Sequence, residues 1–503
     1  MAFDYLVPFP QQIKSGKQTF ARPKKIRLKF PAAVKDTAQS LKSDLRKLAN
    51  IRANTNADFV VELKPVKSGI RKEGYRLDLK KNKAVITSSD NTGLFYGTQT
   101  LLQIMILNET EDIPETRIND WPHYRTRSFM VDMGRAVYPL PLLKRIIRIL
   151  ARLKMNTIHL HLCDDQLNSL KYNKLPLGSE NPKAITLADL KKLIAYARKY
   201  HVTVMPEIEC WGHAGSFLYH YPGLYGAPGM WGGMSFGMGE PTFELFEKVF
   251  DELIPVLEKD CLVHVGLDEA IWAILPDVPE RERNKYSPTL MVQRLYDSLM
   301  KAGRKHGRNV TMHLWADHGG RPLPEKLKNK VVIEPWKYFE CEEEDIKGKL
   351  RRFGGKGKTP MMMGAGMSSG HFSGHFGATS IWAQRGRNLP NVEGITICHW
   401  ESNALDDKLL GLYAGADHAW TPGTPKEKKN DPVHEKQYHR LNKKMRRWQV
   451  LFKDADREAI TRDRGPEVYE GYYCWGENAE EPVAPTVKFS EQTGTDFNKP
   501  VTT

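Results

Sequence analysis

Two periodicities organise the hydrophobic and polar positions of this chain. After Arg125, runs in which apolar and polar residues alternate give way to stretches whose apolar residues recur every three or four positions, and then alternation resumes. Eight alternating runs fall near residues 127–135, 157–165, 203–210, 262–269, 309–317, 330–338, 359–365 and 393–401. Helical patterns sit between most of them, for example Leu142 to Lys154, Leu187 to Tyr200, Pro241 to Glu258 and Thr289 to His306. Strands that alternate with helices run parallel through right-handed crossovers, and eight of them predict a closed (β/α)8 TIM barrel.

The chain before Arg125 has a different rhythm. Lys25 to Phe30, Phe59 to Leu63, Tyr75 to Leu79 and Ala84 to Ser88 read as strands, and Ala38 to Ala53 and Gly93 to Leu107 as amphipathic helices. A polar, proline-bearing link, Asn108 to Trp121, closes this part. The expected organisation is a small α/β accessory domain over 1–120, a barrel over 121–424 and a helical extension over 425–503. In the extension, Val433 to Phe452 reads as a basic amphipathic helix, and the polar stretch from Asn478 to Thr503 reads as disordered.

Composition narrows the class. The 503 residues are 40% hydrophobic and 27% charged, and no apolar run reaches the length of a membrane span. No basic stretch followed by an apolar one opens the chain, and six scattered cysteines lack CxxC spacing, so reduced thiols and a cytoplasmic location are expected. The net charge of +15 gathers partly in Arg22 to Lys25, Lys347 to Lys358, Lys426 to Lys429 and Lys443 to Arg447. An anionic partner would suit such tracts, but none interleaves basic residues with aromatics as strand-binding proteins do. A solvated surface is the reading adopted, with no nucleic acid as partner.

Barrel enzymes hold their chemistry at the C-terminal ends of the strands. Here strand one ends at Arg135, strand two at Asp164 and Asp165, and strand three at Glu207 and Glu209 with His213 just beyond. Strand four ends at Asp268 and Glu269, strand five at Trp315 and Asp317, strand six at Trp336, and strand eight at Trp400 and Glu401. Alternation sharpens this: in strand four Val263, Val265 and Leu267 form one face, and His264, Gly266 and Asp268 the other. Strand two divides Ile158, Leu160 and Leu162 from His159, His161, Cys163 and Asp165, and strand five divides likewise. The aliphatic face meets the helices, so the polar face points into the barrel, where its groups must pair with one another.

Adjacent carboxylates in a desolvated pocket repel, so one keeps its proton near neutral pH and serves as an acid. A lone Asp-Glu pair would read as an exposed loop. Asp268 and Glu269 instead share strand ends with Arg135, Asp165, His213 and three tryptophans that offer flat apolar walls for a sugar ring.

At these residues the sequence resembles glycoside hydrolase family 20, the β-N-acetylhexosaminidases. The family's His-x-Gly-x-Asp-Glu run matches HVGLDEA, His264 to Ala270. VDMGRAVYPLPLLKRII around Arg135, KMNTIHLHLCDDQ ending at Gln166 and VTVMPEIECWGHAG around His213 match further, and NTGLFYGTQTLLQIM is similar to the family's accessory domain. The resemblance implies an exo-acting retaining enzyme in which the substrate's 2-acetamido oxygen forms an oxazolinium intermediate, a departure from the usual two-carboxylate scheme. It implies that Glu269 is the acid and base, Asp268 holds the acetamido N–H, and Arg135 binds hydroxyls of the terminal sugar. Asp164, Asp165 and His213 would support them, and Trp315, Trp336 and Trp400 would form floor and walls, with Glu401 toward a hydroxyl; Asp317, at the end of strand five, is counted with them as substrate-binding. The substrate would be an oligosaccharide or glycoconjugate, with no metal and no cofactor; oligomeric state stays open.

The chain departs from the family in its C-terminal half. Strand seven normally supplies a tyrosine for the acetamido oxygen and nearby an acid for a hydroxyl, but the region reads TPMMMGAGMSSGHF. Tyr338 is a candidate substitute, Glu209 stands for the family's Asp, and the strand-eight glutamate is shifted by one to Glu401. Two rival readings remain. One is a carbohydrate-binding relative that has lost catalysis. The other is a metal-dependent hydrolase using His159, His161, His213, His264, His313 and Asp317. Against the metal, a strand ending at Asp165 would leave His161 roughly 13 Å below it, a depth that suits a core histidine.

Overall fold

The computed structural model describes residues 3, 5–108, 112–229, 233–317, 323–338, 343–367, 376–400 and 409–423. Eight parallel strands close into a barrel in chain order: Thr126–Asp132, Thr157–His161, Thr203–Glu207, Asp260–His264, Asn309–Trp315, Val331–Glu334, Met361–Met367 and Val392–His399. They are called strands one to eight below. The helices between them begin and end where local chemistry dictates. Leu187–Arg198 opens with a capping box in which Thr186 and Asp189 bond each other's backbone N–H. Pro288–His306 starts at a Ser287 cap and stops at Gly307, which takes the left-handed conformation (φ 64°) that glycine adopts without strain.

Each strand begins close to its expected place, but the four that carry most of the polar residues end three to five residues early. Strand two stops at His161, not Asp165, and strand four at His264, not Glu269. The apolar alternation runs on because Leu162, Val265 and Leu267 stay fully buried in the loops. The backbone nonetheless turns, with Gly266, Leu267 and Glu269 all at positive φ. Asp268 and Glu269 therefore sit on a tight loop above the barrel.

The first domain holds a seven-stranded sheet. Ile113–Asp120, within the expected link, pairs antiparallel with both Gln12–Phe20 and Tyr75–Lys80, so the link is a strand inside the sheet. Its inward positions include Thr116 and Asp120, which hide the apolar alternation. Gln12–Phe20 is an almost wholly exposed edge strand without a buried face to reveal it. The helix Asn91–Leu107 is buried nearly all round, because the sheet covers one side and the barrel the other.

The two parts are joined by polar groups. Asp120 accepts from Lys154 Nζ at 2.9 Å and from Trp420 Nε1 at 2.7 Å, while Tyr75 OH lies 2.8 Å from Lys154 Nζ. Arg127, fully buried, reaches Glu73 at 2.7 Å and lies over the Trp420 ring. Among the described residues no helix is long and apolar enough to cross a membrane. The expected extension over 425–503, including Val433 to Phe452 and the tail, lies outside the described residues, as does Glu401.

Candidate active site

The polar faces of strands two to five meet on Glu207, the last residue of strand three. Its carboxylate lies 2.9 Å from His159 Nε2, 2.8 Å from His161 Nδ1, 2.9 Å from His264 Nδ1 and 2.7 Å from Trp315 Nε1. Burial would raise this carboxyl, but the imidazoles of His264, His161 and His159 hold it well below the usual range. A buried anion persists only when so surrounded.

From Glu207 an ion-pair network climbs toward the mouth. His161 Nε2 is 2.9 Å from Asp164 Oδ2, which also receives Arg135 at 2.7 Å. Asp164 Oδ1 lies 3.2 Å from His213 Nδ1, and His213 Nε2 lies 3.6 Å from Asp268 and 3.4 Å from Glu269. Burial opposes charge on His161, yet Glu207, Asp164 and Asp132 raise it to about 10. Burial is likewise overcome at His213, raised well above its ordinary value by Asp164 and Asp268. Asp164, despite its burial, is held well below the carboxylate range by Arg135, His213 and His161. Charges therefore alternate in sign from Glu207 through His161 and Asp164 to His213, which faces Asp268 and Glu269.

The expected depth of His161 is thus corrected: strand two ends at His161 itself, and the following loop returns Asp164 to its imidazole. His161, Glu207 and Asp132 belong to the site but were not among the residues singled out as substrate-binding. Their clue was the inward polar alternation of strand two and the spacing of Asp132, three residues before Arg135. Asp132 accepts from the Arg135 backbone N–H at 3.1 Å and from its guanidinium at 3.0 Å. Asp165 Oδ1 accepts the backbone N–H groups of Gly215 and Met234, both at 2.9 Å, and its Oδ2 lies 3.4 Å from His213 Nδ1.

Asp268 and Glu269 differ in surroundings. Burial raises the Asp268 carboxyl to about 7; Asp317, Glu207 and Glu269 add to the rise, and His213 opposes it. Glu269 is more open, and its backbone N–H donates to Asp317 Oδ2 at 3.0 Å, while Trp336 Nε1 donates to Asp317 Oδ1 at 3.1 Å. Asp317 therefore fixes a wall and the turn that carries the carboxylate pair. Below that turn, Glu209 is fully buried, and burial together with Asp268 and Glu207 pushes its carboxyl well above the usual range.

The aromatic surface is layered. Trp315, expected with the other tryptophans as floor or wall, is fully buried and lies beneath Trp400 at a ring separation of 5.9 Å. It is floor, out of reach of the open mouth. Trp336 and Trp400 are part-exposed, and Arg135 lies over Trp400 at 5.6 Å. Tyr338 stacks on Trp336 at 5.2 Å and meets Trp400 edge-on at 6.5 Å. Strand seven accommodates this pair through glycines: a Cβ on Gly364 would stand 2.7 Å from Trp336, and one on Gly366 2.9 Å from Tyr338. Aromatics from the end of strand six thus lie over strand seven, in space that side chains of that strand would fill.

Three buried groups have atoms close enough to hold an ion: His159, Glu207 and His264; His161, Glu207 and Glu209; and Asp164, Asp165 and His213. Each histidine in them also faces a carboxylate within 3.2 Å.

Fold and cluster together define a (β/α)8 barrel with a carboxylate pair at the C-terminal ends of its strands. Comparison with known proteins gives the family. The catalytic domain of glycosyl hydrolase family 20 matches residues 124–352, and domain 2 of the same family matches residues 4–121. The chain belongs to glycosyl hydrolase family 20. It is 27% identical over 306 residues to a beta-hexosaminidase of Porphyromonas gingivalis, covering 52% of this chain and 38% of that protein. It is 30% identical over 233 residues to a beta-hexosaminidase of Akkermansia muciniphila, covering 41% and 47% of the two chains. The chain thus spans less than half the length of these curated relatives. Among solved structures, a β-N-acetylhexosaminidase from Bacteroides fragilis shares the fold with a TM-score of 0.69 and 21% identity, covering 89% of this chain and 96% of that one.

Proposed function

We propose that this chain is an exo-acting, retaining glycosidase that releases terminal β-linked N-acetylhexosamine from oligosaccharides or glycoconjugates. The observation that carries the reading is the junction of His213 with both Asp268 and Glu269, beside an Arg135 held by Asp132 and Asp164. In this reading the terminal sugar sits over Trp400, with Arg135 bonding its hydroxyls and so excluding further residues on that side. Its acetamido oxygen attacks the anomeric carbon while Glu269 delivers a proton to the departing oxygen. Asp268 accepts the acetamido N–H and stabilises the positive charge as the oxazolinium ring forms. Glu269, now a carboxylate, takes a proton from the water that opens the ring, and configuration is retained. Tyr338 stands in for the family's strand-seven tyrosine toward the acetamido oxygen.

The test is release of p-nitrophenol from the β-N-acetylglucosaminide, the β-N-acetylgalactosaminide and the β-glucoside. Turnover of an N-acetyl substrate but not the glucoside, lost in Glu269→Gln, is the expected result. Folded protein inert on all three would favour a binding protein that has lost catalysis.

A further inference from the structure

Among the described residues, Phe30 and Trp272 are the large apolar side chains left exposed, and Trp272 is the more open at 45%. Phe30 lies in the accessory domain, whereas Trp272 follows Glu269 by three residues. Three residues of chain span at most about 10–11 Å, so the Trp272 backbone lies within that distance of Glu269. Its segment is pinned on both sides. Glu269 N–H donates to Asp317 at 3.0 Å and Ile271 N–H to Ser235 Oγ at 3.1 Å. Ala273 C=O accepts from Met238 N–H at 2.9 Å, and Leu275 N–H donates to Met238 C=O at 3.0 Å. Leu275 is buried against Gly237 and Gly239, where a Cβ would approach its side chain to 2.6 and 2.7 Å. Trp272 is thus held outward by a backbone fixed at its immediate neighbours.

An exposed, preorganised indole is a platform for a flat apolar surface. We infer that Trp272 forms the leaving-group subsite, stacking on the C–H face of the sugar ring that Glu269's proton releases, and so favours carbohydrate leaving groups. This rests on the hydrolase reading: Glu269 protonates the departing oxygen, so that ring lies on the Glu269 side. Trp400 and Arg135 hold the terminal sugar in that same reading. A second copy of the chain could also cover an exposed indole, and the test separates the two.

The experiment uses the full chain, comparing wild type, Trp272→Ala and Trp272→Phe on the β-1,4-linked disaccharide of N-acetylglucosamine. Competitive inhibition by free N-acetylglucosamine, which fills the terminal-sugar subsite, is measured in parallel. Trp272→Ala is expected to lower kcat/KM for the disaccharide about tenfold while inhibition by the monosaccharide is unchanged, and Trp272→Phe to stay near wild type. Disaccharide turnover within twofold of wild type, inhibition weakened in step with turnover, or a change in solution mass on Trp272→Ala would each overturn the inference. Wild type inert on every N-acetylhexosaminide would overturn the hydrolase reading and this inference together; an active wild type with an indifferent Trp272→Ala overturns only the inference.

Discussion

His213 Nε2 stands 3.4 Å from Glu269 Oε2, and its other ring nitrogen lies 3.2 Å from Asp164. The imidazole thus connects the proposed acid to a carboxylate held ionised by Arg135. Removing it in His213→Ala leaves Asp164 and Asp268 buried without their shared cation and Glu269 without its orienting partner. We expect kcat/KM for an N-acetylhexosaminide to fall by about 10²-fold or more, with the circular dichroism of the fold retained. A loss below tenfold would separate His213 from the chemistry.

Asp268 gives a pH prediction with a definite sign. Its proposed role requires the carboxylate, and its carboxyl titrates near 7. As pH falls through about 7 the group takes up a proton, so kcat/KM should fall on the acid side, approaching tenfold per pH unit. The charge of Asp317 helps to raise this group; Asp317→Asn should therefore move the acid limb to lower pH. An acid limb centred below pH 5 in the wild type would contradict the assignment.

Gly266 and Glu209 are predicted to be energetically tied. Gly266 takes φ 65°, and a Cβ there would overlap the Glu209 carboxyl beneath it. Gly266→Ala should destabilise the protein and displace the Asp268 turn, costing both Tm and activity. Glu209→Ala in the same chain removes the overlap, so urea unfolding of the double mutant should show a loss smaller than the sum of the two single losses. Additive losses would show that the turn, not the overlap, sets the cost.

The contact between the parts offers a stability test away from the site. Lys154 precedes strand two at the end of the barrel opposite the carboxylate pair, and burial pulls its ammonium below the ordinary lysine value while Asp120 opposes the shift. Asp120→Leu leaves that ammonium without its anion, which costs on the order of 3–5 kcal/mol. Denaturant unfolding should show the loss, while kcat measured well below the transition stays within twofold of wild type.

How far the sequence could be read follows from what it encodes locally. Barrel alternation was legible because strands buried on both sides keep helix-facing aliphatics at every second position, as in Ile158 and Leu160. The ends of the strands were not legible. Leu162 and Leu267 remain buried after the strand stops and so prolong the pattern, while the turn at Gly266 to Glu269 is a matter of φ. Asp268, Glu269, Arg135 and His213 could be found because reactive types cluster at strand ends. His161 reads from the sequence as a core histidine and Glu207 only as a strand-end acid, since packing alone shows that this one carboxylate gathers three imidazoles. The strand Ile113–Asp120 was concealed by its partnership with Lys154 and Trp420, contacts far away in the chain that put Asp120 at a buried position.

Strand seven tests how the chain compensates for a missing side chain. Its Gly364 and Gly366 admit Trp336 and Tyr338, and Tyr338 contacts both part-exposed tryptophans of the site. Desolvation pushes the Tyr338 phenol well above its ordinary value, so at neutral pH the hydroxyl is a donor. If it bonds the acetamido oxygen as that oxygen attacks, the bond orients the nucleophile and matters most in the transition state. Tyr338→Phe should then lower kcat by roughly 10–10²-fold with little change in KM, because the ring and its stacking on Trp336 are kept. Gly366→Val, which would push the ring from its seat, should lower kcat and raise KM together. A Tyr338→Phe protein with unchanged kcat would show that the hydroxyl is not the missing donor and that Tyr338 serves as wall alone.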